Sequence, residues 1–275
     1  MTFLKRLFDF YIQSSIHVAL SCYMLVRMTH HMFHVPDNEA MALFAFFGTI
    51  AGYNFVKYDA LARTRKQKPS NRVKAIAVLS FFSILAAGYC FFKLENPAKF
   101  VSMAFLGLTI LYTLPFFPNR KNARNWAGVK IYIVSVCWVG VTVVLPVLNA
   151  DPTLQQLLNS DLYLKMTQRF LLIFVLVLVF EIIDLSNDDP HLQTVPQQIG
   201  VKRTKILGLL LLLVFYFLEF LKIEFDSKQV LVNVALVMAV AAFLVFSNER
   251  KSKYYSSFWV ESIPVFWWLM VAYLC

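Results

Sequence analysis

The chain has 275 residues, 59% hydrophobic and 15% charged, with a mean hydropathy of +0.62 and a formal net charge of +10. Soluble domains carry roughly a quarter charged residues, so this composition excludes a soluble globular fold and points to the lipid bilayer. A basic balance also raises nucleic acid as a partner, but no nucleic-acid module is visible and membrane topology accounts for the charge, so none is expected.

Apolar spans follow one another at 10–26, 40–58, 75–92, 100–117, 130–148, 168–183, 206–221, 229–246 and 257–274. Each approaches the ~20 residues needed to cross a bilayer core. Lipid offers the backbone no hydrogen-bond partners, so each span must be helical. The expectation is an all-α integral membrane protein of nine transmembrane helices, a single polytopic domain over 1–275 without a dividing linker. Lys5 and Arg6 precede the first span with no small-residue cleavage site, so that span is read as retained. Pro264 interrupts the last span, which membrane helices tolerate. Cys22, Cys90, Cys137 and Cys275 lie in or at the ends of spans without metal-ligand spacing and read as small hydrophobes.

Sorting Lys and Arg onto alternate sides of these spans puts 18 on the side of Lys5 and Arg6 and 6 on the other, with Lys57 and Arg169 inside spans. The positive-inside rule then places the N-terminus in the cytoplasm and Cys275 on the opposite face. The expected location is a plasma membrane, of the bacterial inner-membrane kind. The long polar connections 59–74, 118–129 and 184–205 all fall on the cytoplasmic side, so functional groups should gather at that mouth. Spans two and six end in corresponding polar clusters, Asn54 to Asp59 and Asp184 to Asp188, a weak internal symmetry of the kind that marks sites between repeats.

The most informative stretch is Glu181-Ile-Ile-Asp184-Leu-Ser-Asn-Asp188-Asp189, which follows the apolar run 170–180 directly. On a continuing helix Asp184 and Asp188 share a face, roughly 6 Å apart at Cβ. Carboxylates that close repel unless a cation or shared proton lies between them, and Mg²⁺ takes such oxygen sites, completed by substrate phosphates. A solvated helix end is the competing reading.

Asp184-x-x-x-Asp188, then Thr194-x-Pro196, Gly200 and basic Lys202, Arg203 and Lys205, resembles the second motif of the UbiA superfamily of membrane prenyltransferases. Tyr112-x-x-Pro115 with Arg120 and Lys121, and Arg65-x-x-Lys68-Pro69-x-x-Arg72, are similar to further segments of that family. The resemblance implies a nine-helix bundle in which a prenyl diphosphate, held with Mg²⁺, loses diphosphate and alkylates an acceptor that the sequence does not name. It implies catalytic and metal-binding roles for Asp184 and Asp188 and a catalytic role for Asn54. The family's first motif, Asn-Asp-x-x-Asp-x-x-x-Asp, is altered: Asn54 remains, but Phe55, Tyr58 and Ala62 stand at the acidic places. Asp59 is one residue, about 100°, off that face. The expectation is therefore one Mg²⁺ instead of two.

Lys57 lies on about the same helix face as Asn54, where an ammonium can replace lost metal charge against phosphate. Snorkelling to water is its alternative. Arg65, Lys68, Arg120 and Lys130 are the other diphosphate candidates, and Tyr112 and Trp138 are the candidates for sheltering a prenyl tail or carbocation through their π faces. His30, His31 and His34 read as an interface cluster on the opposite side, without an acidic partner of clear spacing. Arg169, Glu219 and Glu261 are expected within spans near that same side, pairing among themselves. A catalytically disabled member of the fold that binds an isoprenoid lipid or a partner protein is the alternative function. A transporter fits less well, because no pair of Gly/Pro-broken helices meets at the midplane.

Overall fold

Helix ends in this chain are set by short polar punctuation between apolar runs. The structure is a computed structural model and describes residues 3–64, 70–114, 128–151, 159–223 and 226–275, without the side chains of 59–64 and 191. In chain order the helices are α1 (Phe3–Gln13), α2 (Ile16–Met32), α3 (Glu39–Thr64), α4 (Asn71–Phe92), α5 (Asn96–Thr113) and α6 (Val129–Val139). A π-helical turn, Gly140–Val144, joins α6 to α7 (Leu145–Ala150). There follow α8 (Ser160–Asp184), α9 (Val195–Ile199), α10 (Val201–Phe217) with a 3₁₀ extension to Leu221, α11 (Ser227–Phe246), a second π-helical segment at Tyr255–Val260, and α12 (Ile263–Leu274). No strand occurs among the described residues.

Among the described residues, seven stretches of helix are long and apolar enough to cross a membrane: 39–58, 71–92, 129–150, 160–184, 201–221, 227–246 and 255–274. The protein is an integral membrane protein of all-α fold. The other two predicted spans correspond to α2, which has 17 residues, and to α5, which opens on polar Asn96-Pro97-Ala98-Lys99. The nine-span count is therefore not established.

The first predicted span, 10–26, needs correction. It is divided, because Ser15 adopts a left-handed φ of 62° and separates a short amphipathic α1 from α2. The sixth span also begins earlier than predicted, at Ser160, since the Asn159 side chain caps it by accepting from the Asp161 N–H at 2.9 Å.

α8 is the axis of the bundle. In its most apolar window 67% of residues are buried, against 22–33% for 39–58, 71–92, 201–221, 227–246 and 255–274. Leu172, Val175, Leu178, Val179 and Ile182 are wholly buried, and they join residues of α2, α10, α11 and α12 in the largest core. A second core forms among α2, α3, α5 and α7 around Met41, Ala42, Ala98 and Leu145. α2 belongs to both cores, and Trp138 packs against both. The outward faces stay apolar, with Phe81, Phe82 and Leu85 of α4 and Leu210 and Phe217 of α10 all more than half exposed, as lipid requires.

The two π segments sit in spans that carry Pro146 and Pro264 near the start of the next helix. Such bulges widen the backbone locally and mark functional sites. In the second, the Glu261 N–H reaches the Ser256 carbonyl at 3.1 Å, five residues back.

Candidate functional site

The acidic stretch is built as a turn, not as the continuing helix expected from its spacing. α8 stops at Asp184 because Ser186, Asn187, Asp188 and Asp189 compete for local backbone bonds and Pro190 cannot continue the helix. The Asn187 and Asp188 N–H groups both donate to the Asp184 carbonyl, at 2.8 and 2.9 Å. Asp184 and Asp188 thus stay within one turn, each half-buried, and their charges act on one another. Asp188 Oδ2 is buried and has no hydrogen-bond partner among the described residues. One turn earlier Glu181, 2% exposed, accepts from the Val195 N–H at 3.0 Å and so ties α8 to the start of α9. That donor is one of those a helix start leaves open.

The segment after the acids is held by its own motif residues. Thr194 caps α9, and its N–H donates to the Gln197 side-chain oxygen at 2.9 Å. Pro196 stands in the first turn of α9, and Gly200 joins α9 to α10 at φ 81°, ψ 155°, a conformation essentially reserved for glycine. The Gly128 N–H donates to the Leu192 carbonyl at 3.3 Å, which brings the start of α6 against this loop. Lys130, two residues on and half-buried, is the cation whose field acts on both Glu181 and Asp184. Sequence reasoning named Lys130 but missed Gly128 and the bridging role of Glu181. The Gly two residues before the fifth apolar span is the signal for the first.

The end of α3 carries the second group of predicted residues. Asn54, buried, donates through Nδ2 to the Ser14 carbonyl at 3.0 Å and to Ser80 Oγ at 2.9 Å, while its Oδ1 is buried without a partner among the described residues. Lys57 is exposed, and its Nζ donates to the Gln13 carbonyl at 3.4 Å. Tyr58, at one of the altered acidic positions, donates to the same carbonyl at 3.0 Å. Phe55 is exposed, and the Ala62 side chain lies outside the described residues, as do Arg65, Lys68 and Arg120. Arg72 Nη1 donates to Gln13 Oε1 at 2.9 Å. Gln13 therefore gathers three mouth residues, a role sequence reasoning missed. Its signal is the polar triplet Gln13-Ser14-Ser15 inside an apolar run.

Trp138 of α6 donates through Nε1 to the Tyr53 hydroxyl of α3 at 2.7 Å, with the two rings edge-on at 6.5 Å. Tyr112 is buried at the end of α5. Glu261 acts electrostatically on Lys57, Tyr53 and Tyr11, so it belongs to the mouth half of the bundle and not to the opposite side as expected. The π segment turns its backbone toward α2, where the Ser21 hydroxyl donates to the Glu261 carbonyl at 2.5 Å.

Two further expectations are corrected at the opposite end. Glu219 does not pair with Arg169: its carboxylate takes Lys222 at 2.6 Å, Gln168 at 2.9 Å and Asn233 at 2.7 Å. Arg169 instead donates to Thr142 Oγ1 at 3.1 Å and lies 5.0 Å over the Trp267 ring, as does Lys165. His30 does have an acid nearby, Asp37 at 3.6 Å, which Arg27 links to Glu39. No group of three or more His, Cys, Asp or Glu suited to a metal occurs among the described residues.

Neither protein-family models nor curated proteins match this chain. Two solved structures do. The apo structure of a UbiA homolog from Aeropyrum pernix K1 is similar at a TM-score of 0.64 and 13% identity, over 96% of this chain and 97% of that one. A structure of digeranylgeranylglyceryl phosphate synthase is similar at a TM-score of 0.56 and 13% identity, over 97% of this chain and 96% of that one. Nearly the whole chain therefore has the UbiA fold.

Proposed function

We propose that this protein is a membrane prenyltransferase, moving a prenyl or related alkyl or aryl group from its diphosphate to an acceptor at the mouth of the bundle. The observation that carries this reading is the turn at the end of α8. It presents Asp184 and Asp188 together, with a buried Asp188 oxygen that has no hydrogen-bond partner among the described residues and Lys130 near enough to act on Asp184, in a chain of UbiA fold. In this reading the mouth is the cytoplasmic one, as the excess of Lys and Arg on that side requires.

The donor set suits Mg²⁺, which prefers one or two carboxylates completed by phosphate oxygens and water. Asp184 and Asp188 would hold the ion, which would supply positive charge at the leaving diphosphate. Lys130 and, across the mouth, Lys57 and Arg72 would bind the remaining phosphate charge. Arg65, Lys68 and Arg120 are proposed for the same role from sequence alone. In the reaction the allylic C–O bond breaks, its electron pair leaves with diphosphate, and the carbocation is captured by an acceptor that then loses a proton. The hard step is charge separation, so fixed cations at the leaving oxygens lower its barrier. Tyr112 and Trp138 would face the cation or tail, with Trp138 held in place by Tyr53.

Incubating purified protein with radiolabelled prenyl diphosphates, Mg²⁺ and a panel of aromatic and glycerol-based acceptors tests the reading. Mg²⁺-dependent transfer that is lost in Asp184→Asn is expected. A second reading, a disabled enzyme that binds an isoprenoid lipid, is favoured by one observation: Asn54 spends both amide hydrogens on Ser14 and Ser80 beside positions that lack carboxylates. Binding of prenyl diphosphate with no turnover on any acceptor would select it.

A further inference from the structure

The segment ahead of α2 is not used by the function above, yet it carries the most exposed apolar side chains near the mouth. Phe3 is 79% exposed, Leu4 75% and Leu7 55%. With Phe8 they recur at i, i+1, i+4 and i+5 and form one stripe of α1. Asp9 and Ile12 are buried on another side of the helix, toward the bundle, while Lys5 and Arg6 are exposed. A short helix with one apolar face, flanking cations and a third face docked on a membrane protein has the form of an interfacial helix.

The far end of α1 is tied into the mouth. Asp9 accepts a hydrogen bond from Tyr254, at the entry to the last span. Phe8 packs against Phe258, ring to ring at 5.2 Å. Gln13, the last residue of the helix, takes Lys57 and Tyr58 on its carbonyl and Arg72 on its side chain. The Ser15 left-handed turn then sets the angle between α1 and α2.

We propose that α1 is a membrane-surface strap: its Phe3–Leu4–Leu7–Phe8 stripe seats in the leaflet on the mouth side, Lys5 and Arg6 bind the phosphates of anionic lipids there, and Gln13 thereby holds Lys57 and Arg72 in register. The partner is an anionic phospholipid surface. Two features select it: the paired cations beside the stripe, and continuity with the apolar outer faces of the spans. Gln13 is on this account a positioning residue, and only its service to diphosphate rests on the function proposed above.

The test uses the full chain in nanodiscs of phosphatidylcholine, with or without phosphatidylglycerol. A spin label is placed at Leu7→Cys in a Cys275→Ser background. The expected label is open to oxygen and shielded from a water-soluble nickel chelate, more so with phosphatidylglycerol, and that lipid preference disappears in Lys5→Gln/Arg6→Gln. A label equally open to the chelate in both lipids overturns the seating. The coupling is read by hydrogen exchange. Leu4→Ser/Leu7→Ser alters only exposed positions and should keep its detergent melting temperature. Amides of the Arg72–Ile76 segment should nevertheless exchange about two- to tenfold faster in it, the range expected for losing one hydrogen bond. Unchanged exchange there overturns the strap. Failure of the wild type to bind inorganic diphosphate would instead count against the proposed function and leave these two readouts standing.

Discussion

Asp188 contributes a carboxylate oxygen buried without a hydrogen bond among the described residues. Such a group is costly unless a ligand completes it. Asp188→Asn should therefore fold normally in detergent but bind a non-hydrolysable prenyl diphosphate about ten- to a hundredfold more weakly in the presence of Mg²⁺, since contacts to charged groups are worth roughly 1.5–3 kcal/mol. Calorimetric titration with and without Mg²⁺ reads this directly, and affinity indifferent to both would refute the role. Lys57→Met should give a loss of the same size. If Phe55→Asp/Tyr58→Asp raises turnover, the natural altered motif is a disabled one; if it abolishes activity, the alteration is the working site. A separate residue-scale prediction concerns Lys165 and Arg169, both buried over Trp267. Lys165 Nζ has no hydrogen-bond partner among the described residues, and Glu219, whose charge it faces, keeps Lys222 at 2.6 Å without it, so Lys165→Met should be neutral or stabilising. Trp267→Ala removes the ring under both cations and a wholly buried side chain, and should cost about 3–5 kcal/mol. Melting temperatures in detergent separate the two signs.

At the scale of elements, the joints decide the site. Gly200 at φ 81°, ψ 155° allows α9 to turn into α10 while Thr194 and Pro196 hold the loop over Glu181. Gly200→Ala should cost about 1–3 kcal/mol of backbone strain and loosen the Asp184–Asp188 turn. Faster hydrogen exchange over 185–200, with α4 unchanged, is the expected signature. Gly140 opens the first π segment where α5 crosses it, and an added Cβ would lie 1.9 Å from Phe105 Cζ. That approach permits close packing of α5 against α6 in lipid, where small residues let helices meet. The apolar run at 170–180 and the Ser-Asn-Asp-Asp-Pro sequence after it were enough to place the end of α8 at the mouth. Whether the chain turned or continued through Asp188 was not readable from spacing, because an i,i+4 pair shares a face in a helix and also survives in a terminal turn closed by the Asp188 N–H.

For the whole molecule, α3, α8 and α11 all end on the face where α4, α6, α10 and the last span begin. Contacts across that face agree, with Lys57 on Gln13, Lys205 Nζ on the Val245 carbonyl at 2.7 Å and Tyr254 on Asp9. Cys275, exposed at the end of α12, is therefore expected on the other face. A membrane-impermeant maleimide should label Cys275 in sealed vesicles from one side only. A cysteine introduced at exposed Arg250, in a Cys275→Ser background, should be labelled from the other. Labelling of both from one side would remove a crossing from this topology.

Composition alone determined that the chain lives in lipid and that its backbone is helical, and charge order supplies the expectation of which loops share a face. These follow from local terms: an unpaired peptide group cannot enter hydrocarbon, and Lys and Arg favour one side of the membrane. The pair Asp184 and Asp188, with Thr194, Pro196 and Gly200, was legible for the same reason, since it is contiguous. Only the tertiary structure decided that Gln13 gathers Lys57, Tyr58 and Arg72, that Gly128 brings Lys130 to the acids, that Glu261 lies in the half of the bundle that holds Lys57, and that Trp267 takes both buried cations. Each of these joins residues from helices far apart in sequence, and their approach depends on how side chains interlock across the bundle, which no periodicity along a single span records.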